Sequence, residues 1–471
     1  MKKYWLAIFV SFISVSTFAQ KNISGIWQGK ISAGVDLTAF FHIKEEGKNI
    51  SATLDFPDGG IRDMSASSIA IKEDSILVEV PKLNGKYLGR IINDSTINGY
   101  WIQGQQFLLN LHKVKEMILA KRPQTPKPPF PYKSENIVYF NSDKSIQYGA
   151  TMTIPNGKGP FPAVLLITGS GQQNRDEEIL QHKPFAVIAD YLTKRGFVVL
   201  RVDDRGMGQT TGDVLSATSR DFANDAEVSL DYLKKRKEVD NKKIGLLGHS
   251  EGGMIAQIIA SERKDINFLV FLAAPGENNL NLMKDQNEAI LAKVGMSKSY
   301  IDQYLELYTK LLSSVIKSDS LEEAKQNASK LIDEWRAKTP SNVVTGTTGI
   351  TNEETKQRFI NAFVPAVYSP WFKYFLSYDP DPILQKISAK VLALNGNKDI
   401  QVVSKTNLPA MESSLKKSQS NDYDIKELKG LNHLFQHCKI CNVQEYGYLE
   451  ETIAPEVLNM IGDWLERHVK S

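Results

Sequence analysis

Apolar and polar positions follow two different rhythms along this chain. From residue 23 to about 115 they alternate with period two in short stretches such as Leu37-Thr38-Ala39-Phe40-Phe41-His42-Ile43. Turn signals separate these stretches at Glu46-Gly47-Lys48-Asn49, Pro57-Asp58-Gly59-Gly60 and Leu83-Asn84-Gly85. About eight strands fit, which predicts a small all-β domain, an up-and-down barrel or a sandwich, over residues 20–118. Pro123, Pro126, Pro128, Pro129 and Pro131 then crowd one short stretch. That density predicts a stiff connector over residues 119–133 and a domain boundary there.

From residue 137 the rhythm changes. A strand is predicted at 147–154, and continuous apolar runs follow at 163–168, 197–202, 244–247, 268–273 and 391–394. Helical periodicity at 185–195, 221–236 and 456–468 separates or follows them. Buried strands alternating with helices predict an α/β fold, a mostly parallel sheet with helices on both faces, over residues 134–471. The alternation lapses over residues 276–386, where amphipathic segments at 300–317 and 321–337 predict a helical cap inserted between two late strands. Its aromatic end carries Trp371, Phe372 and Phe375, read either as one wall of an apolar pocket or as core packing.

Composition narrows the setting. The net charge of +3 gives no reason to expect a nucleic-acid partner. Residues 1–19 read as a signal peptide: Lys2-Lys3, then an apolar stretch at 6–15, then the small-residue cleavage pattern Thr17-Phe18-Ala19. The apolar stretch is too short for an ordinary membrane span, and no other segment reads as one. An exported, periplasmic or secreted protein is the expectation. The two cysteines, Cys438 and Cys441, cannot supply four zinc ligands, and export favours a disulfide between them over two buried thiols.

The chemistry is concentrated at Gly248-His249-Ser250-Glu251-Gly252, between an apolar run and a predicted helix. Strand, sharp turn and helix are the context of a nucleophile elbow, in which Ser250 stands exposed at the end of a sheet. A serine hydroxyl needs a base, and the base needs a carboxylate to hold its tautomer. Asp399 follows the predicted strand at 390–395 and is the candidate acid; Asp379 and Asp381 precede it. His433 sits on the loop after the predicted strand at 424–428 and is the candidate base, with His437 as its competitor. Two backbone N–H groups must hold the oxyanion. One is that of Glu251; the other comes from Gly169-Ser170-Gly171, with Ser170 ahead of Gly171. The Glu251 side chain either orients a substrate group or caps the helix start.

The motifs Leu166-Ile167-Thr168-Gly169-Ser170-Gly171, Arg201-Val202-Asp203-Asp204-Arg205-Gly206-Met207-Gly208, Gly248-His249-Ser250-Glu251-Gly252, Asn395-Gly396-Asn397-Lys398-Asp399 and Gly430-Leu431-Asn432-His433 together resemble the α/β-hydrolase superfamily. Within it, residues from about 137 onward look most like bacterial serine esterases related to the serine aminopeptidase-like and dienelactone hydrolase-like groups. The resemblance implies a Ser250–His433–Asp399 triad and an acyl-enzyme. It makes the stretch at 203–206 a structural loop near the site. Thr168 departs from the histidine that many relatives carry there. The opening Gly25-Ile26-Trp27-Gln28-Gly29 is also reminiscent of lipocalin-like β domains.

The expectation is a serine hydrolase of small-molecule carboxylic esters that requires no cofactor and no metal. A serine peptidase on the same fold is one alternative. A ligand- or glycan-binding protein with an inert hydrolase domain is another.

Overall fold

The computed structural model describes residues 22–470 except 33–35, 48, 58–60 and 118–120. The predicted signal peptide lies outside these. The chain divides into two units, residues 1–119 and 120–471.

In the first unit the period-two pattern becomes an antiparallel sheet. Its strands are β1 (Gly25–Ser32), β2 (Asp36–Glu46), β3 (Asn49–Phe56), β4 (Ile61–Ser65), β5 (Ser68–Lys72), β6 (Ser75–Val80), β7 (Gly85–Asn93), β8 (Thr96–Gln103), β9 (Gln105–Leu108) and β10 (Leu111–Val114). They form one ten-stranded sheet, ordered β4-β3-β2-β1-β10-β8-β7-β6-β5 with β9 added on β8. About eight strands were expected. The extra ones are short, and β8 turns into β9 at the single residue Gly104, whose φ of 69° suits glycine. So tight a turn leaves little trace in the polar pattern. The inner face is filled by Trp27, Phe41, Leu54, Tyr87, Ile97 and Trp101, with Phe41 edge-on to Tyr87 at 5.1 Å. This is core packing of aromatic and branched side chains.

The second unit is built on β11 (Lys133–Phe140), β12 (Gln147–Ile154), β13 (Phe161–Ile167), β14 (Val198–Val202), β15 (Val239–His249), β16 (Phe268–Leu272), β17 (Lys390–Gly396) and β18 (Tyr423–Leu428). The sheet order is β11-β12-β14-β13-β15-β16-β17-β18. Pairs from β14 through β18 are parallel; β11–β12 and β12–β14 are antiparallel. The central strands are buried on both faces, which is why they read as unbroken apolar runs. Helices α1 (Pro184–Lys194) and α12 (Pro455–Leu465) cover one face, through Phe185, Leu192, Val457 and Trp464. Helices α2 (Ser219–Lys234) and α3 (Glu251–Glu262) cover the other, through Leu230, Leu233, Met254 and Ile259. Thr218 and Asp221 close a capping box at the start of α2, satisfying two N–H groups that would otherwise be orphaned.

Between β16 and β17 the chain forms α4 (Asn279–Lys293), α5 (Lys298–Lys317), α6 (Leu321–Arg336), α7 (Ser341–Thr348), α8 (Glu353–Tyr368), α9 (Pro370–Ser377) and α10 (Pro380–Leu384). Leu312, Ala328, Ile332, Trp335, Ile360 and Val364 give α5, α6 and α8 a core of their own. After β17, α11 (Ser404–Leu415) leads to β18. The proline-rich stretch is pinned to this unit: Arg122 donates to the carbonyls of Leu449, Leu180 and Gly447, and Gln124 to that of Ile453. No helix among the described residues is long and apolar enough to cross a membrane.

This topology positions the site. Parallel strands end on one edge of the sheet, and ligands of open α/β sheets bind outside that edge. Thr168 follows β13, Ser250 follows β15, Asp399 follows β17 and His433 follows β18.

Candidate active site

Ser250 occupies the tight turn between β15 and α3 with φ 53° and ψ −120°, a conformation that L residues rarely adopt. Close packing on both sides enforces it. A methyl group on Gly248 would strike the carbonyl of Gly252. One on Gly252 would strike the carbonyls of Ile167 and Thr168, the latter at 2.5 Å. Backbone meets backbone at both places, so neither contact can relax by rotating a side chain. Gly252→Ala is therefore expected to cost about 3 kcal/mol or more, measured by urea unfolding, and to push the β13 loop away from the elbow. Unchanged stability would show that the turn is looser than this.

The base and acid candidates meet. His433 Nδ1 lies 2.7 Å from Asp399 Oδ2, and both side chains are buried. The other carboxylate oxygen of Asp399 accepts the backbone N–H groups of Gln401 at 2.7 Å and Val402 at 2.9 Å. His433 is presented by a turn closed on Asn432, whose side-chain oxygen accepts from the N–H groups of Leu434 and Gln436. Such local side-chain bonds are what favour asparagine in turns. The competitor His437 is half exposed and lies between Glu451 and Glu456. Asp379 caps α10, and Asp381 accepts from Ser414. Among the described residues, the Ser250 hydroxyl has no hydrogen-bond partner; in the absence of substrate such links are often long.

The loop after β13 holds the oxyanion candidates. Gly169 donates its N–H to Glu177 Oε1 at 2.7 Å, so that group is already engaged. The N–H groups of Ser170 and Gly171 have no acceptor among the described residues. The N–H of Glu251 opens α3, where no intrahelical acceptor exists. Thr168 donates to Asp204 Oδ1 at 2.6 Å, and the other oxygen of Asp204 accepts the Gln173 N–H at 2.8 Å. These bonds support the loop where many relatives use histidine. Burial raises the Asp204 pKa to about 8, against those hydrogen bonds and with help from Glu177 and Glu251.

Glu251 is buried, and its side chain has a definite role. Its Oε1 accepts from Ser219 at 2.6 Å and from the Trp371 indole at 2.8 Å. Burial raises its pKa against the hydrogen bonds of Ser219, Trp371 and Ser170. The carboxyl thus ties the nucleophile turn to α2 and to cap helix α9. Trp371 stacks with Phe375 at 5.5 Å, and Phe372 packs against both the sheet core and the cap core. A small cavity of about 60 Å³, partly open to solvent, lies beside Glu251. Thr168, Gly171, Val202, Val214, Phe222 and Ile255 are among its lining residues. Trp371, Phe372 and Phe375 are not, among the described residues.

The loop that follows His433 is stapled. Cys438 and Cys441 are joined by a disulfide, and Glu445 accepts the N–H groups of Lys439, Ile440 and Cys441.

Sequence reasoning missed Glu177, which lies in the polar run 172–178 and reads as solvated loop. It is fully buried, and its φ of 51° is a conformation uncommon outside glycine. It also reaches His249 Nδ1 at 3.0 Å.

A sheet of this order, with a strained serine at the strand-to-helix turn, defines an α/β-hydrolase fold. The family described as serine aminopeptidase, S33, matches residues 182–359, a span that includes Ser250 but ends before Asp399 and His433. Esterase EstD of Thermotoga maritima is 34% identical over 168 residues, 36% of this chain and 40% of that protein. YtaP of Bacillus subtilis is 29% identical over 146 residues, 28% of this chain and 48% of that protein. The chain thus spans less than half the length of either relative. Among solved structures, an esterase of Pyrococcus furiosus aligns with 75% of this chain and 100% of its own at 14% identity, with a TM-score of 0.43. The second unit thus has the sheet order of an α/β-hydrolase and is similar, over part of its length, to the serine aminopeptidase, S33, family and to esterase EstD.

Proposed function

We propose that this protein is an exported serine hydrolase that cleaves carboxylic esters of small acyl groups. The observation that carries the reading is the 2.7 Å contact between His433 Nδ1 and Asp399 Oδ2, on the sheet edge that also presents the strained Ser250. In this mechanism Ser250 Oγ attacks the ester carbonyl while His433 Nε2 takes its proton. Asp399 holds the proton on Nδ1 and stabilises the imidazolium. The N–H groups of Glu251 and Ser170, with Gly171 as the second choice in the loop, receive the oxyanion. Collapse breaks the acyl–oxygen bond, and His433 returns its proton to the leaving alcohol. Water, deprotonated by the same histidine, then releases the acid and regenerates Ser250. The scheme requires neither metal nor cofactor. Export is supported by the signal-like residues 1–19 and by the Cys438–Cys441 disulfide, a linkage favoured outside the cytosol.

A partly enclosed, mostly apolar cavity beside the elbow suits a small acyl or alcohol group better than a long chain. Trp371, anchored to Glu251, ties the cap to this site. Aryl esters with acyl chains of about two to six carbons are therefore expected to be cleaved far faster than matched aminoacyl amides. Measured kcat/KM values decide the point. A preference for the amides means a peptidase, the reading that the S33 description favours. A preference for acyl chains beyond about ten carbons means a lipase.

A further inference from the structure

His249, the residue before the nucleophile, is a titratable group at the elbow that the mechanism above does not use. Its side chain is buried, with the His433 ring 4.8 Å away between centroids and the Phe435 ring at 6.4 Å. Both of its nitrogens face oxygen. Nε2 lies 3.0 Å from the backbone carbonyl of His433, and Nδ1 lies 3.0 Å from Glu177 Oε1. A carbonyl can only accept, so Nε2 carries a proton. An ionised carboxylate can only accept, so Nδ1 carries the second. The same Oε1 also accepts the Gly169 N–H, which leaves it facing two donors.

We infer that Glu177 and the imidazolium of His249 form a buried ion-pair strut that positions the oxyanion loop against the histidine loop. Glu177 fixes the Gly169 N–H, one residue before the candidate donor Ser170. His249 fixes the carbonyl of His433 itself. One pair therefore links the loops after β13, β15 and β18, which move independently in an unfolded chain. His249 is a positioning residue; it touches neither substrate nor the reacting atoms. The effect on turnover rests on the serine-hydrolase reading, whereas the charge of the pair does not.

The electrostatics agree in direction. Burial by itself pulls the His249 pKa down. The Glu177 charge and hydrogen bond, the His433 carbonyl and the more distant Asp399 carboxylate outweigh it, and the net shift is upward. The groups acting on this ring are thus Glu177 from the β13 loop, His433 from the β18 loop and Asp399 from the β17 loop. A raised folded-state pKa means that the proton stabilises the fold fully below the unfolded value. That contribution is lost as pH rises through the folded value. The strut therefore loosens on the alkaline side.

The test uses the full chain. Histidine ring nitrogens are followed by 15N NMR from about pH 6 to pH 9, with His249 assigned by its absence in His249→Asn. The His249 ring is expected to lose its second proton at higher pH in the native protein than in Glu177→Gln. That variant keeps the size of the side chain, but its single carbonyl oxygen cannot stabilise an imidazolium as a carboxylate does. A His249 ring that titrates at the same or lower pH in the native protein than in Glu177→Gln overturns the ion pair. In parallel, Glu177→Gln should lower kcat for an aryl ester about 10- to 100-fold, with KM changed less than about threefold. Its alkaline limb should also move to lower pH. A kcat within about twofold of the native value overturns the positioning role. If the native protein neither hydrolyses esters nor takes up a fluorophosphonate at Ser250, the serine-hydrolase reading fails and the positioning role falls with it. The NMR measurement still decides the charge of the pair.

Discussion

Ser250→Ala and His433→Ala are each expected to lower ester turnover by about 10⁴-fold or more, and the double variant by little beyond either one alone. The non-additivity follows from the mechanism. The hydroxyl and the imidazole act in one proton transfer, so removing either leaves the other without work. What remains in each variant is binding and the candidate oxyanion donors, the N–H groups of Ser170 and Glu251. Neither change should unfold the protein. Ser250 makes no side-chain hydrogen bond that alanine would forfeit among the described residues, and its strained backbone is held by Gly248 and Gly252. Loss of His433 leaves Asp399 still bonded to two backbone N–H groups. His437→Ala is the control: that ring is half exposed between Glu451 and Glu456, and turnover should stay within about twofold of native. Strong residual activity in Ser250→Ala would overturn the mechanism. A dead His437→Ala with an active His433→Ala would move the base to His437.

The parts of this molecule that were legible in the sequence are those governed by local rules. The apolar runs at 163–168, 197–202, 244–247, 268–273 and 391–394 correspond to strands β13 to β17, because a strand buried on both faces carries few polar positions, Arg201 of β14 being one. Asp399 and His433 were read from their places just after late strands, and the structure puts their side chains 2.7 Å apart. What was not legible depends on contacts between distant segments. Glu177 lies in a run of polar residues, and only the folded chain reveals that it is buried under Gly169 and His249. Trp371 looked like a pocket wall because it sits among aromatics. Its indole N–H finds the buried carboxylate of Glu251, 120 positions earlier in the chain. Glu251 itself was ambiguous between a helix cap and a substrate ligand. Its partners come from α2, α9 and the β13 loop, which no local pattern can indicate.

Asp399→Asn is expected to leave the fold and its melting transition nearly unchanged while lowering kcat by about 10²- to 10⁴-fold. The surroundings of Asp399 dictate how the new amide must sit. Its Oδ1 position is met by the N–H groups of Gln401 and Val402, which can only donate. The amide carbonyl must take that position, because an NH₂ group there would face two donors. The NH₂ is then aimed at His433 Nδ1, 2.7 Å from the oxygen it replaces. It donates, so Nδ1 must accept and the imidazole proton moves to Nε2. That nitrogen then presents a proton to Ser250 where the mechanism needs a lone pair. All hydrogen bonds are kept in number, which is why stability survives, and the base is lost through its tautomer alone. Fluorophosphonate labelling of Ser250 should slow in parallel with kcat, since both require removal of the same proton. If kcat in Asp399→Asn stays within about twofold of native, Asp399 does not orient the base, and the assignment of the acid must be reopened to Asp379 and Asp381.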